Sequence, residues 1–228
     1  MNSSEEHSSP LQSVPTRGRT LDYAAPVYDF LEPLCLFGRQ ARILTDLLDA
    51  LSPLPHHKLL DVGCGTGALT AQVAEKLDPA QGGYIVGIDA AARMIAAARE
   101  KRAFPGCRFE VAAAENLPFD DATFDAAFST MFFHHVPADL KLAALREIYR
   151  TLIPGGVLCI VDMHKPTTVL GALISHFSRW LLMQPQIAEN IHGILPDLIR
   201  EAGFDEVKLC HRYLGYIACF IARKPPCS

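Results

Sequence analysis

The 228-residue chain has one tryptophan, no Cys-x-x-Cys pair, no excess of basic residues and no apolar run long enough to cross a bilayer. Seven cysteines (Cys35, Cys64, Cys107, Cys159, Cys210, Cys219 and Cys227) are odd in number and scattered. That pattern speaks against a zinc site and against a disulfide framework, and it predicts reduced thiols in a cytoplasmic protein. Cys159, Cys210 and Cys219 read as small buried hydrophobes. The first twenty residues, rich in Ser, Glu, Pro and Arg, have no apolar core of a secretory signal. The most hydrophobic stretch, 167–183, is interrupted by His176 and Arg179 and is too short to span a membrane, though peripheral contact with one is compatible with it. A net charge of −4 and a pI near 6.1 give no footprint for nucleic acid.

What is present is one α/β domain of ordinary size, with no internal repeat and nothing that fixes an oligomeric state. Residues 1–19 are polar and without period, as expected of a disordered tail. Residues 20–52 read as a helical lid: short elements broken by Pro26 and Pro33, then a helix from Arg39 to Leu51 with Ile43, Leu44, Leu47, Leu48 and Leu51 on one stripe. Strands are predicted at Lys58–Val62, Tyr84–Asp89, Cys107–Ala112, Phe124–Thr130 and Val157–Met163, the last after the turn Pro154-Gly155-Gly156. Helices between them (Ala91–Arg102 and Leu140–Leu152) complete an alternation that predicts a doubly wound parallel sheet. The rhythm breaks at the end. After a helix at Pro196–Ala202, Glu206–Leu214 runs through Gly215 straight into YIACFIARK, and two strands joined so tightly pair antiparallel. The prediction is a Rossmann-like, mostly parallel seven-stranded sheet with an antiparallel C-terminal hairpin.

The chemistry concentrates in LLDVGCGTGALT, residues 59–70. A buried strand, a loop with Gly63, Gly65 and Gly67, and a helix burying Leu69, Val73 and Leu77 form a strand–glycine loop–helix unit. Glycine permits sharp turns and close approach of a ligand, and the helix start offers unpaired N–H groups, so the unit reads as a nucleotide-type site. Two readings fit the residues. Gly63-x-Gly65-x-x-Ala68 with Asp89 further on satisfies the dinucleotide fingerprint. The acid Asp61 ahead of the first glycine and the third glycine, Gly67, fit a different cofactor.

The ordered set of DVGCGTG, Asp89 after the second strand, AENLPFDDATFDAAFS after the third, FHHV after the fourth and IPGG before the fifth resembles the class I S-adenosylmethionine-dependent methyltransferases. The similarity is to the small-molecule group typified by ubiquinone and menaquinone biosynthesis, and it spans Tyr23 to Pro225. It implies S-adenosylmethionine as cofactor. It places Gly63, Cys64, Gly65 and Gly67 under the amino-acid end and ribose, Asp61 toward the ammonium, and Asp89 on the ribose hydroxyls. Ala90 and Met94 are assigned near the adenine, with Ala114 and Glu115 as main-chain contacts. The side chain that often meets the adenine amine in this family is replaced by Ala113. Ser129 at the end of the fourth strand completes the cofactor set, and Tyr28 is expected to close over it.

His134 and His135 are the adjacent ionisable pair near the reaction centre and the candidate catalytic bases, since imidazole titrates near neutrality. The competing reading is that one of them packs while the other caps. The expected substrate pocket adds Tyr23, His164, Trp180 and His192, with a substrate cover over residues 165–195. No metal is expected. The function this implies is methyl transfer to a small, apolar acceptor, a quinol or phenol methylated at carbon or oxygen. Phospholipid-amine, thiol or other heteroatom transfer is the alternative. An NAD(P)-dependent oxidoreductase is disfavoured by the terminal hairpin, and a non-catalytic methyltransferase-like binding protein by the intact glycines and Asp89. Nucleic acid is excluded as a partner, because neither a DPPY- nor an NPPF-type tetrapeptide follows the fourth strand.

Overall fold

A computed structural model describes residues 11–18, 38–181 and 186–226. The first helix, α1 (Gln40–Leu51), leads to strand β1 (Lys58–Val62), helix α2 (Ala68–Ala74), β2 (Tyr84–Asp89), α3 (Ala92–Arg102) and β3 (Cys107–Val111). Then follow β4 (Phe124–Thr130), α4 (Ala138–Thr151), β5 (Leu152–Met163), α5 (Val169–Leu181), α6 (Gln186–His192), α7 (Leu195–Glu201), β6 (Asp205–Tyr213) and β7 (Ile217–Arg223). The seven strands form one sheet in the order β3-β2-β1-β4-β5-β7-β6. β1 to β5 run parallel, whereas β7 pairs antiparallel with both β5 and β6. The predicted class holds.

Alternation along each strand feeds two cores. On one face Leu59, Ile85 and Phe128 pack with Ile43 and Leu47 of α1, Val73 of α2 and Ile95 of α3. On the other, Leu60, Val86 and Ala127 pack with Leu145 and Ile148 of α4 and with Leu195 and Ile199 of α7. A sheet covered on both faces is what βαβ crossovers produce, and its strands are accordingly apolar throughout. The chain winds outward from β1 to β3 on one side and from β4 to β5 on the other, so a crevice opens between the carboxyl ends of β1 and β4. Open α/β sheets bind ligands at such a switch point.

One detail departs from the sequence expectation, and a second settles what it left open. β5 begins at Leu152, directly after α4, and the Pro154-Gly155-Gly156 turn is a bulge within it, where pairing to β4 jumps from Phe124–Leu152 to Ala126–Val157. Hydrogen bonds of 2.9 Å join this bulge to the end of the chain, from Gly155 N to Lys224 O and from Lys224 N to Gly156 O. The hairpin strand β7 is also not at the edge: it lies between β5 and β6. Of the predicted N-terminal lid, the described part is α1. Of the predicted cover, it is α5 and α6.

Candidate active site

The glycine loop is fixed from both ends. Gly63 N and Cys64 N both donate to Ile88 O at 2.9 Å, holding the loop to the end of β2. Gly63 has φ +77°, and a Cβ there would lie 2.6 Å from the Phe132 ring. Only glycine fits. Gly65 N donates to Asp89 Oδ2 at 3.1 Å, while Ala91 N donates to Asp89 Oδ1 at 2.9 Å, so this carboxylate is aimed by two main-chain groups across the mouth of the crevice. Asp61 is buried and accepts from Thr70 Oγ1 at 2.6 Å, tying β1 to α2.

These elements border a cleft of about 630 Å³. Of the residues singled out from the sequence, Gly63, Gly65, Asp89, Ala90, Met94, Ala114, Glu115 and His135 line it. Part of the predicted tail lies here as well. Val14 N donates to Ala90 O (3.0 Å), Ser13 Oγ accepts from Ala92 N (2.9 Å), and Thr16 Oγ1 donates to Glu115 Oε1 (2.6 Å). Arg17 forms an ion pair with Asp139, and Thr16 and Gly18 line the cleft. The stretch 11–18 is a strap over the cofactor end of the site.

Other assigned residues sit elsewhere. Gly67, at φ +78°, caps α2 and packs on Phe109, where a Cβ would come within 2.3 Å of the ring. The Cys64 side chain lies against the Gly87 backbone. Burial first, then the charges of Asp61 and Asp89, push its thiol well above the ordinary range, so it is a neutral packing group rather than a nucleophile. Ser129 is fully buried and donates to Val62 O at 2.7 Å, joining β4 to β1 rather than facing the cleft. His164 is buried against Gly193 and edge-on to Phe220, His192 is exposed, and Trp180 stands in solvent on α5. The structure does not gather these three into a pocket with His134 and His135. Tyr23 and Tyr28 lie outside the described residues.

The histidine pair divides into two roles. His135 faces the cleft, whereas His134 is buried behind it, the two rings 3.9 Å apart between centroids. His134 Nδ1 lies 2.8 Å from Asp162 Oδ1, and Asp162 is fully buried at the end of β5. Its carboxylate also accepts from Phe133 N at 2.7 Å and from Asn190 Nδ2 of α6 at 3.3 Å. A carboxylate that gathers main-chain and amide donors accepts from the ring as well, so the Nδ1 proton belongs to His134. Asp162 is the residue that sequence reading missed. Among the described residues no cluster of ligating side chains suits a metal.

A second cleft of about 450 Å³ adjoins the first through Met131, which lines both. Its walls are Ile43, Ala68, Leu69 and Val161, with the amides of Gln40 and Gln72 and the Thr130 hydroxyl as polar points. Gln40 Nε2 is buried there with no hydrogen-bond partner among the described residues.

Gly63 and Gly65, bare of side chains at the cleft wall, an oriented carboxylate at the end of β2 and apolar walls beyond it fit S-adenosylmethionine, and comparison with known proteins agrees. The family described as a methyltransferase domain matches residues 60–160. An uncharacterised methyltransferase of Synechocystis is 30% identical over 201 residues, covering 86% of this chain and 91% of that one. The ubiquinone/menaquinone biosynthesis C-methyltransferase UbiE of Geotalea daltonii is 30% identical over 189 residues, with 79% and 78% covered. The demethylmenaquinone methyltransferase of Thermus thermophilus is 38% identical over 144 residues, with 62% and 63% covered. Among solved structures, an S-adenosylmethionine-dependent methyltransferase from Aquifex aeolicus superposes with a TM-score of 0.67 at 20% identity, covering 90% of this chain and 99% of that one. Phosphoethanolamine N-methyltransferase 2 of Haemonchus contortus, bound to S-adenosylhomocysteine, gives 0.69 at 17% identity over 92% and 59%. The fold and site define a class I S-adenosylmethionine-dependent methyltransferase. Within that class, the chain belongs to the UbiE-like group.

Proposed function

We propose that the acceptor is a small apolar molecule of quinol or phenol type, methylated at ring carbon or oxygen. The observation that carries this reading is His135 at the cleft wall, its ring in tilted contact with a histidine that is itself held by a buried carboxylate. A phenolic nucleophile must shed its proton as it attacks. An imidazole beside the reacting oxygen accepts that proton, and the His134–Asp162 pair behind it sets the ring's position. The bound cofactor supplies an already activated methyl group on a sulfonium, so the chain's remaining work is alignment and exclusion of water. The second cleft suits a flat apolar ring, with Gln40 Nε2 as the donor for a ring oxygen.

The named activities of relatives support the same choice: demethylmenaquinone in one and 2-phytyl-1,4-naphthoquinone in another. A phosphoethanolamine acceptor is the second reading, from the Haemonchus structure. Among the described residues neither cleft has a Lys or Arg in its lining to receive a phosphate, and the first presents Asp89 and Glu115.

The test is a mass-spectrometric assay of the purified protein with S-adenosylmethionine and, in separate reactions, a naphthoquinol lacking its ring methyl, a simple phenol, phosphoethanolamine and a thiol. A gain of one methyl on the quinol or the phenol is expected. Methylation of phosphoethanolamine or the thiol with both aromatic acceptors untouched would overturn the reading.

A further inference from the structure

Helix α5 exposes a large apolar surface that no part of the mechanism uses. Val169 is 81% and Trp180 74% exposed, and Leu170, Leu173 and Phe177 are each more than half exposed. At about 100° per residue, positions 169, 170, 173, 177 and 180 fall within roughly 100° of arc. Gly171 and Ser175, on the opposite side, are buried, with Gly171 against the Gly215 backbone of the β6–β7 turn. The apolar stripe therefore points away from the protein. Five exposed large side chains on one face form a contiguous patch, unlike the scattered single hydrophobes of ordinary surfaces.

The charge around the stripe selects its partner. The chain as a whole is acidic, yet no Asp or Glu occurs between Asp162 and Glu189, a stretch that carries Lys165 and Arg179. Lys165 is exposed just ahead of α5, and Arg212 of the edge strand β6 is exposed beside it, its guanidinium donating to Lys165 O at 3.2 Å. Exposed His176 lies at the stripe's margin. An apolar face of Leu, Phe and Trp with cations at its border is the composition of a helix that lies in the plane of a bilayer surface. Thirteen residues give about 20 Å of length, enough to lie on a membrane and too little to cross one. No helix among the described residues is long and apolar enough to span.

We propose that α5 docks this methyltransferase on an anionic lipid bilayer, with the 169–180 stripe seated among the acyl chains and Lys165 and Arg212 against the headgroups. The position has a use. In sequence α5 joins Asp162 at the end of β5 to Asn190 of α6, the two groups that hydrogen-bond around His134. A helix embedded in lipid next to that network lets an apolar acceptor reach the site from the membrane without crossing water. The docking itself does not depend on which acceptor is used.

Trp180 is the chain's sole tryptophan, so fluorescence excited at the red edge, where the six tyrosines do not absorb, reports this face alone. The experiment titrates the full chain with vesicles of phosphatidylcholine mixed with phosphatidylglycerol, and with phosphatidylcholine alone. Expected is a blue shift with the anionic vesicles, quenching by brominated lipid, and a response to the neutral vesicles weaker by about tenfold in lipid concentration. The double variant Leu173→Glu/Phe177→Glu should lose the shift and keep S-adenosylmethionine affinity, which verifies that it folds. Absence of a shift on either vesicle, or a shift the double variant retains, overturns the proposal. So does a blue shift that appears with protein concentration alone and tracks dimerisation in sedimentation, because the stripe would then seat a second copy of the chain. No acceptor enters the assay, so its outcome is separate from that of the quinol reading.

Discussion

Asp89 accepts from two main-chain N–H groups and lines the cleft, and on the proposed reading it meets the ribose diol of the cofactor. Asp89→Ala removes a charge-assisted pair of contacts, and we expect the dissociation constant of S-adenosylmethionine to rise by about tenfold or more in calorimetric titration. Unchanged affinity would remove the ribose assignment. His135→Ala should lower turnover by about a hundredfold at unaltered cofactor affinity, and Asp162→Asn should move the pH profile of turnover while the protein still binds cofactor. His164 provides a different readout. Burial pushes its pKa down to about 4, with Arg212 and Lys165 adding to the effect. In the unfolded chain the ring gains its proton near its ordinary value, 6.5, while the folded ring stays neutral until about 4. Stability is therefore full above that ordinary value and falls as pH drops through this window. Urea midpoints at neutral and mildly acid pH should differ less in His164→Phe than in the parent. At this scale the positions of Asp89 at the end of β2 and of the His134–His135 pair beyond β4 were legible, because each stands in a recognisable run, but which histidine meets the cleft was not. Asp162 was not: no motif surrounds it in its strand, and only tertiary packing brings it beside His134.

The strap at 11–18 is the element that composition alone conceals. It is polar and aperiodic, and its anchors (Ala90, Ala92, Glu115 and Asp139) are scattered through the chain. Removing residues 1–18 should speed release of the cofactor several-fold in stopped-flow displacement and leave the sheet intact by circular dichroism. An unchanged release rate would mean that the strap only decorates the cleft. The glycine loop, by contrast, was fully visible in the sequence, though its three glycines serve different ends. Gly63 and Gly65 border the ligand space, whereas Gly67 makes room for Phe109. Gly67→Ala should cost about 1–3 kcal/mol in stability, read from urea denaturation, through overpacking at a left-handed backbone position. Spacing announces the motif but not what each glycine touches.

For the molecule as a whole, the alternation of strands with helices and the tight turn at Gly215 made the parallel sheet and its antiparallel end readable from the chain. What the pattern could not give was the placement of β7 inside the sheet, since a hairpin's sequence is the same whichever arm faces inward. That placement bears on the order of assembly. During synthesis β5 is made long before Ile217–Arg223, and until that segment arrives it presents Val157, Cys159 and Val161 along an open edge. An apolar strand with unpaired main-chain groups is a template for pairing with another nascent chain. Until Ile217–Arg223 is made, β5 is therefore the strand of this sheet most open to pairing with a second nascent chain.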